Sequence, residues 1–324
     1  MGREFFQRQT YRETWSSDPV GATAVLGSGF GFPVATPDDV SVNAPFGDSL
    51  VAYKFGDNPT GVMIIGPHRV AGLDRSLVDY PYIVETANEP PMRPIVASAT
   101  VVLSDDFDSV LEWVRSKGFR HRLDDATPHL RSRRLWIGWG PEKSDPWYQP
   151  QHDAGIKLEF VQPAPPGDAK SAEDSAPFRM KTVQASSDVV RFEASMYLAP
   201  ELRGPVASLS EAFEWEPARS WSAPGADFVE FSFVNSDSAT IQFVAPTTTD
   251  GTVGRHLGEW GAGPYLQRLV CRDLDAREEQ LRKSGVRFSR AEAIDGSGRP
   301  ALIAEGGTDF FGAFEFVAED AGPA

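Results

Sequence analysis

A short phrase recurs four times along the 324 residues, and it constrains the fold more than any other feature of the chain. It is an apolar β run, broken by one polar or soft residue and closed by a proline or an acidic pair, at residues 61–67, 155–163, 240–246 and 312–320. Aligned on their apolar letters, the copies place Met63, Glu159, Gln242 and Glu315 in one column. A polar residue with apolar neighbours on both sides marks a strand with one face turned toward something other than a dry core.

Upstream of each closing run the sequence predicts a first strand, a helix-start signal and an amphipathic helix. Residues 266–275 lead into a helix from Ala276 to Ser284, with Leu274, Glu278, Leu281 and Arg282 at helical spacing and Gly285 as the stop. Residues 98–105 lead in the same way to Val110, Leu111 and Val114, and stop at Gly118. A third copy runs from 192–198 through Pro200 to Val206, Leu209 and Phe213. The first and least regular has a strand from Thr10 to Trp15, then Asp18 and Pro19, then a helix through Leu26.

One strand–helix–three-strand unit is too small to bury its own helix, so two must share a sheet. The expected fold is therefore α+β, with four βαβββ modules paired into two domains whose curved mixed sheets each leave a groove. The Pro/Gly/Ala-rich stretch 163–176 reads as a connector, giving an N-terminal domain over 1–165, a linker over 166–180 and a C-terminal domain over 181–324.

Hydrophobic residues at 41% and charged residues at 24% predict a chain folded throughout. A net charge of -15 repels phosphate backbones and anionic lipid, which argues against nucleic acid as a partner. No stretch approaches the roughly 20 apolar residues needed to span a bilayer. A single cysteine, Cys271, rules out an internal disulfide, and Met-Gly-Arg-Glu-Phe-Phe at the start lacks a signal-peptide apolar run. The expectation is a cytoplasmic protein, monomer or homodimer, with no membrane role.

The order of the modules, and above all Thr252-Val-Gly-Arg-His-Leu-Gly-Glu-Trp-Gly-Ala-Gly-Pro-Tyr-Leu266, resembles the vicinal oxygen chelate superfamily of glyoxalase, bleomycin-resistance and dioxygenase proteins. Within it, the segment is similar to methylmalonyl-CoA epimerases and glyoxalase-like lyases, whose short helix and Gly-x-Gly turn lead into a strand bearing a metal-binding His. The resemblance implies four ligands from the first and last strands of two paired modules, and Glu193, Gln242, Leu266 and Glu315 are the matching positions. Gln242 stands as far after Glu193 as Glu315 does after Leu266. Leu266 cannot bind a metal.

Glu193, Gln242 and Glu315 remain as three oxygen ligands around an open position, a set suited to one divalent ion such as Mg or Mn rather than Zn. Such an ion polarises a carbonyl and stabilises an enolate while a neighbouring group moves a proton. Without metal, two carboxylates in one groove repel, and one becomes a general base. Both versions predict a lyase or isomerase acting by proton transfer next to a carbonyl of a small apolar or aromatic metabolite, with Glu193, Glu315 and His256 as catalytic candidates. The rival is a non-catalytic protein that sequesters a hydrophobic drug or metabolite, and a third option is a regulatory relative. The plain structural alternative has Gln242 and Glu315 satisfied by neighbours and Glu193 facing solvent.

In the N-terminal half the equivalent columns hold Met63, Ser98, Glu159 and Tyr11 or a neighbour, which is no site for a hard metal. That cleft is expected to be structural or an apolar pocket, with Glu159 as a lone hydrogen-bonding group and the second-cleft candidate. None of the five histidines lies on a first strand, which disfavours ring-cleaving dioxygenase chemistry. The glycines of Leu26-Gly-Ser-Gly-Phe-Gly31 close a helix rather than open one, so no nucleotide cofactor is expected. Trp136, Trp139, Trp147 and Tyr148 suggest a long hairpin or flap, closing over a flat apolar ligand or else a packed loop or dimer surface, and Arg131, Arg133 and Arg134 beside them read as solvent charges or as holders of a carboxylate.

Overall fold

The computed structural model describes residues 2–16, 19–43, 48–67, 95–119, 121–124, 133–137, 156, 158–162, 182–185, 188–305 and 313–319. The connector at 163–176, Arg131, Trp139, Trp147 and Tyr148 lie outside them.

The βαβββ grammar appears four times. The first module is β1 (Arg8–Ser16), α1 (Pro19–Phe30), β2 (Ser41–Asn43), β3 (Asp48–Lys54) and β4 (Gly61–Pro67); the second is β5 (Ile95–Leu103), α2 (Phe107–Ser116), β6 (His121–Asp124), β7 (Arg134–Ile137) and β8 (Leu158–Val161). After β9 (Thr182–Gln184) the third comprises β10 (Val189–Leu198), α3 (Arg203–Phe213), β11 (Arg219–Ala223), β12 (Ala226–Phe231) and β13 (Thr240–Pro246). A short α4 (Thr252–Trp260) introduces the fourth: β14 (Gly263–Cys271), α5 (Leu274–Lys283), β15 (Phe288–Glu292), β16 (Pro300–Glu305) and β17 (Ala313–Ala318).

Modules one and two share a sheet ordered β2-β3-β4-β1-β5-β8-β7-β6, and modules three and four share one ordered β11-β12-β13-β10-β14-β17-β16-β15. In each, the two first strands pair antiparallel at the centre, and each is flanked by the parallel last strand of its own module. This arrangement collects the column residues near the middle of the sheet. Register shifts at Gln9/Tyr11, Arg12/Thr14, Val189/Arg191, Phe192/Ala194 and Ser195/Tyr197 bend the central strands and help to curl both sheets. β9 pairs with β3 at Ala52–Lys54, beyond the reach of β2, so the chain leaves the first sheet only after Gln184.

Local signals set the helix ends. Asp106 and Asp273 cap α2 and α5 by accepting from Ser109 and Ala276 backbone N–H groups at 3.2 and 2.9 Å. Past α1, Gly31 takes φ +71°, and the bonds Gly31 N–H to Gly27 O and Phe32 N–H to Leu26 O close the helix as the glycine pattern predicts.

The helices lie between the sheets. Val110 and Val114 of α2 share a core with Leu209 and Phe213 of α3, and Phe6 stacks on Trp215 with ring centroids 3.7 Å apart. On the other side Leu26 and Phe30 of α1 pack with Leu281 of α5 and with Phe314 and Phe316. Each such side chain contributes roughly 1.5–3 kcal/mol by leaving water. Between the two cores the central strands meet through polar bonds, Gln9 Nε2 to Ser195 Oγ (2.9 Å) and Arg12 Nη1 to Tyr197 OH (2.6 Å). Both inner sheet faces therefore point away from the helical layer. Among the described residues no helix is long and apolar enough to cross a membrane.

Candidate functional site

The inner face of the second sheet divides in two. Near the start of β14 it is apolar, where Val253 and Leu257 of α4 cover Met196, Phe228, Val244 and Leu266. Further along, the face opens into a cleft of about 1230 Å³ walled by β10, β12, β13, β14 and the turn after β15, with a rim from Gly56–Pro59 of the first half. Five arginines (191, 219, 268, 272 and 299) line it against five carboxylates (Asp57, Glu193, Glu230, Asp237 and Asp295), so in a chain of net charge -15 this surface is balanced.

Its centre is Arg268, 2% exposed and paired across the β14·β17 ladder with Glu315, which is fully buried. Arg268 Nε donates to Glu315 Oε2 at 2.6 Å and Nη1 to Asp295 Oδ2 at 2.5 Å, and Glu193 Oε2 lies 3.9 Å from Nη1. The other Glu315 oxygen accepts from the Ile294 N–H at 2.8 Å. Burial alone would lower the Arg268 pKa; the charges of Glu315 and Asp295 outweigh it and push the pKa up. Burial likewise works to raise Asp295, but Arg268 and the Ser297 bonds hold its carboxyl below the usual range. Arg268 Nη2 is buried and has no partner among the described residues.

The Gln242 side chain, 2% exposed, faces the same cleft from β13. Its Nε2 donates to Glu230 Oε2 at 2.8 Å, and its Oε1 is buried without a partner among the described residues. Arg219 grips Glu230 through Nε and Nη2 at 2.9 and 3.0 Å, and Thr240 Oγ1 adds a bond at 3.1 Å. Glu193, its side chain 23% exposed, is held by Arg299 Nη1 at 3.0 and 2.8 Å and by Arg191 at 2.8 Å.

Glu193 and Gln242 thus line one cleft and Glu315 lies beneath it, but they do not assemble as a ligand set. Both Glu315 oxygens are committed, Glu193 is held by two arginines, and Leu266 is packed under α4. Arg268 already supplies the positive charge at this point, its guanidinium paired with Glu315 and Asp295. The residues present do not fit the expected metal, and among the described residues no group of three His, Cys, Asp or Glu side chains could hold one. His256 sits on α4 with its ring 4.7 Å from Tyr265 and does not line the cleft.

In the first half, Trp136 lies on β7, which pairs antiparallel with β8, and is packed and buried rather than closing over a ligand. Two further expectations are corrected there. Arg134 is buried rather than solvated, because Glu159 lies 3.8 Å away. Glu159 is for the same reason no lone hydrogen-bonding group. Its register partner is Val101, so the strand position matching Leu266 is Ala99, one residue from Ser98. Met63 is buried beside β1.

Arg268, Glu230 and Asp295 were missed by sequence reasoning. Arg268 was visible as the charge in an otherwise apolar alternation, two positions from Leu266 and therefore on the same strand face. Glu230 and Asp295 carry no comparable signal.

No protein-family model matches the sequence, and none of the curated proteins does. Among solved structures, the chain is similar to a mutant of 4-hydroxymandelate synthase from Streptomyces coelicolor, with a TM-score of 0.60 and 12% identity over 98% of this chain and 94% of the other. A methylmalonyl-CoA epimerase variant from Streptomyces coelicolor, in complex with 2-nitronate-propionyl-CoA, aligns with 41% of this chain and 96% of its own, at 17% identity and a TM-score of 0.35. The epimerase from Mycobacterium tuberculosis aligns with 42% and 92%, at 18% identity and a TM-score of 0.36.

Proposed function

We propose that this chain, which has the vicinal oxygen chelate fold across both halves, binds a small molecule through an anionic or polarised carbonyl oxygen in the cleft of its second half, without a metal. The observation that carries this is Arg268: a buried guanidinium, fixed by Glu315 and Asp295, that lines the cleft with Nη2 unpartnered among the described residues. A fixed cation in a site of low dielectric stabilises oxygen charge without reorganising. The charged lining favours a polar ligand over the apolar one anticipated from sequence.

The chemistry that follows is proton transfer beside a carbonyl, of the isomerase or lyase kind. Glu193 would take the proton from the carbon next to the carbonyl, the electron pair would move to the oxygen facing Arg268, and reprotonation or loss of a leaving group would complete the reaction. A specific observation favours a second reading, binding without chemistry: both Glu193 oxygens already accept guanidinium N–H bonds, from Arg299 and Arg191, so the carboxylate is engaged before any substrate proton reaches it.

Thermal stabilisation by a panel of small carboxylates and carbonyl compounds tests the cleft. Stabilisation of the wild-type protein should survive chelator and be lost when Arg268→Met is combined with Glu315→Met, an exchange that removes the most deeply buried pair together and leaves Asp295 to the Ser297 N–H. Stabilisation that requires added Mn or Mg, or that persists in the double variant, would sink the proposal. Incubation of a bound compound in heavy water separates the two readings, since deuterium incorporation that stops in Glu193→Gln marks the enzyme and unlabelled recovery marks the binder.

A further inference from the structure

We infer that the cleft selects a ligand carrying a hydrogen-bond donor, a hydroxyl or an ammonium group, close to its anionic oxygen, and that Gln242 reads that donor. The inference rests on the cleft assignment made above. A glutamine amide is nearly symmetric in shape and can present either end, so its direction is set by what it faces. Glu230 removes the choice. Both its oxygens accept from Arg219, and an ionised carboxylate can only accept, so the Gln242 NH2 must face Glu230 and its carbonyl must face the cleft.

Gln242 and Arg268 then line one cavity, and each keeps a buried polar atom, the acceptor Oε1 and the donor Nη2, without a partner among the described residues. Their strands flank β10, two strand spacings or roughly 10 Å apart at the backbone, with the small Ala194 set against Arg268 and Met196 against Gln242. Both residues line the cavity that lies over the first half of β10, so a ligand held there is placed between them. A carboxylate on Arg268 with a neighbouring hydroxyl or ammonium on Gln242 satisfies both atoms. An acid without the donor leaves the carbonyl dry and should lose roughly 10- to 100-fold in affinity. The even balance of charge around the cleft is compatible with a hydroxy acid or a zwitterion.

Three probes on one carbon skeleton, titrated into the full chain by calorimetry or ligand-observed NMR, decide the matter: propionate, lactate and alanine. Lactate or alanine should bind at least about ten times more tightly than propionate, and whichever leads identifies the donor as hydroxyl or ammonium. In Glu230→Gln the amide at 242 is free to turn, so the preference for alanine, whose ammonium can only donate, should collapse toward one while propionate binding is retained. If propionate binds as well as the other two to the wild-type protein, or if Glu230→Gln keeps the full preference for alanine, the inference is overturned and the cleft assignment stands. If none of the three binds, the assignment of Arg268 as an oxygen-anion receptor falls, and the inference falls with it.

Discussion

Glu159 on β8 and Glu315 on β17 hold matching places in the two sheets, and both are shielded from solvent. In the first half the register partner on the central strand is Val101, and the cation comes from Arg134 on β7, at 3.8 Å from the carboxylate. In the second half the register partner is itself the cation, Arg268, at 2.6 Å. Both sheets therefore meet the cost of a buried carboxylate with a guanidinium, because an unpaired charge there would not be tolerated. They differ in the strand that supplies it. A cation on the central strand stands where two modules meet and can face a ligand, whereas one on the third strand stands toward the sheet's edge. The difference between a structural pair and a candidate receptor is thus one residue on β5 against one on β14.

The largest effect expected follows from that pair. Glu315→Gln leaves Arg268 buried without its principal counter-charge and should cost about 3–5 kcal/mol in denaturant unfolding, whereas replacing both partners with Met and Asp295 with Asn, so that this carboxylate is not left without its cation, should restore most of the loss. Glu159→Gln, whose arginine lies beyond hydrogen-bond distance, should cost less. Equal losses at the two positions would show that the halves carry equivalent pairs and would remove the contrast.

A second contrast appears at high pH. Burial pushes the Cys271 thiol of the second half from 9.0 to about 12 and the Tyr11 phenol of the first half from 10.0 to about 12, with Arg277 and Arg8 opposing the two shifts. Both groups stay protonated in the folded chain over a range in which the unfolded chain has released its protons. Folding stability is therefore fully present below about pH 9 and falls as pH rises through about 12. At pH 11 the thiol should account for a loss of about 3 kcal/mol and the phenol for about 1.4 kcal/mol. Unfolding free energies of the wild-type protein and of Cys271→Ala and Tyr11→Phe, measured from pH 8 to 11, check this: each variant should show a shallower decline, Cys271→Ala the more so. Parallel slopes would rule the account out.

Much of the architecture was legible because it is written in periodicity. The column Met63, Glu159, Gln242 and Glu315 located the four closing strands, and Leu274 with Leu281, or Val110 with Val114, located helix faces that depend only on local spacing. The site was less legible, for a physical reason. A ligand set transferred by resemblance fixes which positions face inward but not what their neighbours do to them. Glu315 was placed on the correct strand, yet its role depends on Arg268, two residues beyond the position that the resemblance singled out, and on the Ile294 amide from a turn with no periodic signature. Gln242 was singled out as a ligand, but the direction of its amide is decided by Glu230 on another strand and by Arg219 beyond it. Such partners are set by cross-strand register, which no single stretch of sequence records.

The smallest contrast is one in which the halves should agree. Asp106 and Asp273 precede α2 and α5 at the same point of the second and fourth modules, each accepting a backbone N–H in the first turn, and the helices end at Gly118 and Gly285 with φ +71° and +68°. The bonds are 3.2 and 2.9 Å long, and both carboxylates also sit favourably at the positive end of a helix. Asp106→Ala and Asp273→Ala should therefore each cost about 1 kcal/mol, measured by denaturant unfolding. Because α2 packs into the core shared with α3, and α5 into the one shared with α1, each loss reports on a different inter-half core. Losses of this size in both variants would show that the two cores, each built from both halves, depend alike on their helix ends. A loss confined to one variant would show that one core tolerates a frayed helix, and the two modules would then agree in geometry but not in energy.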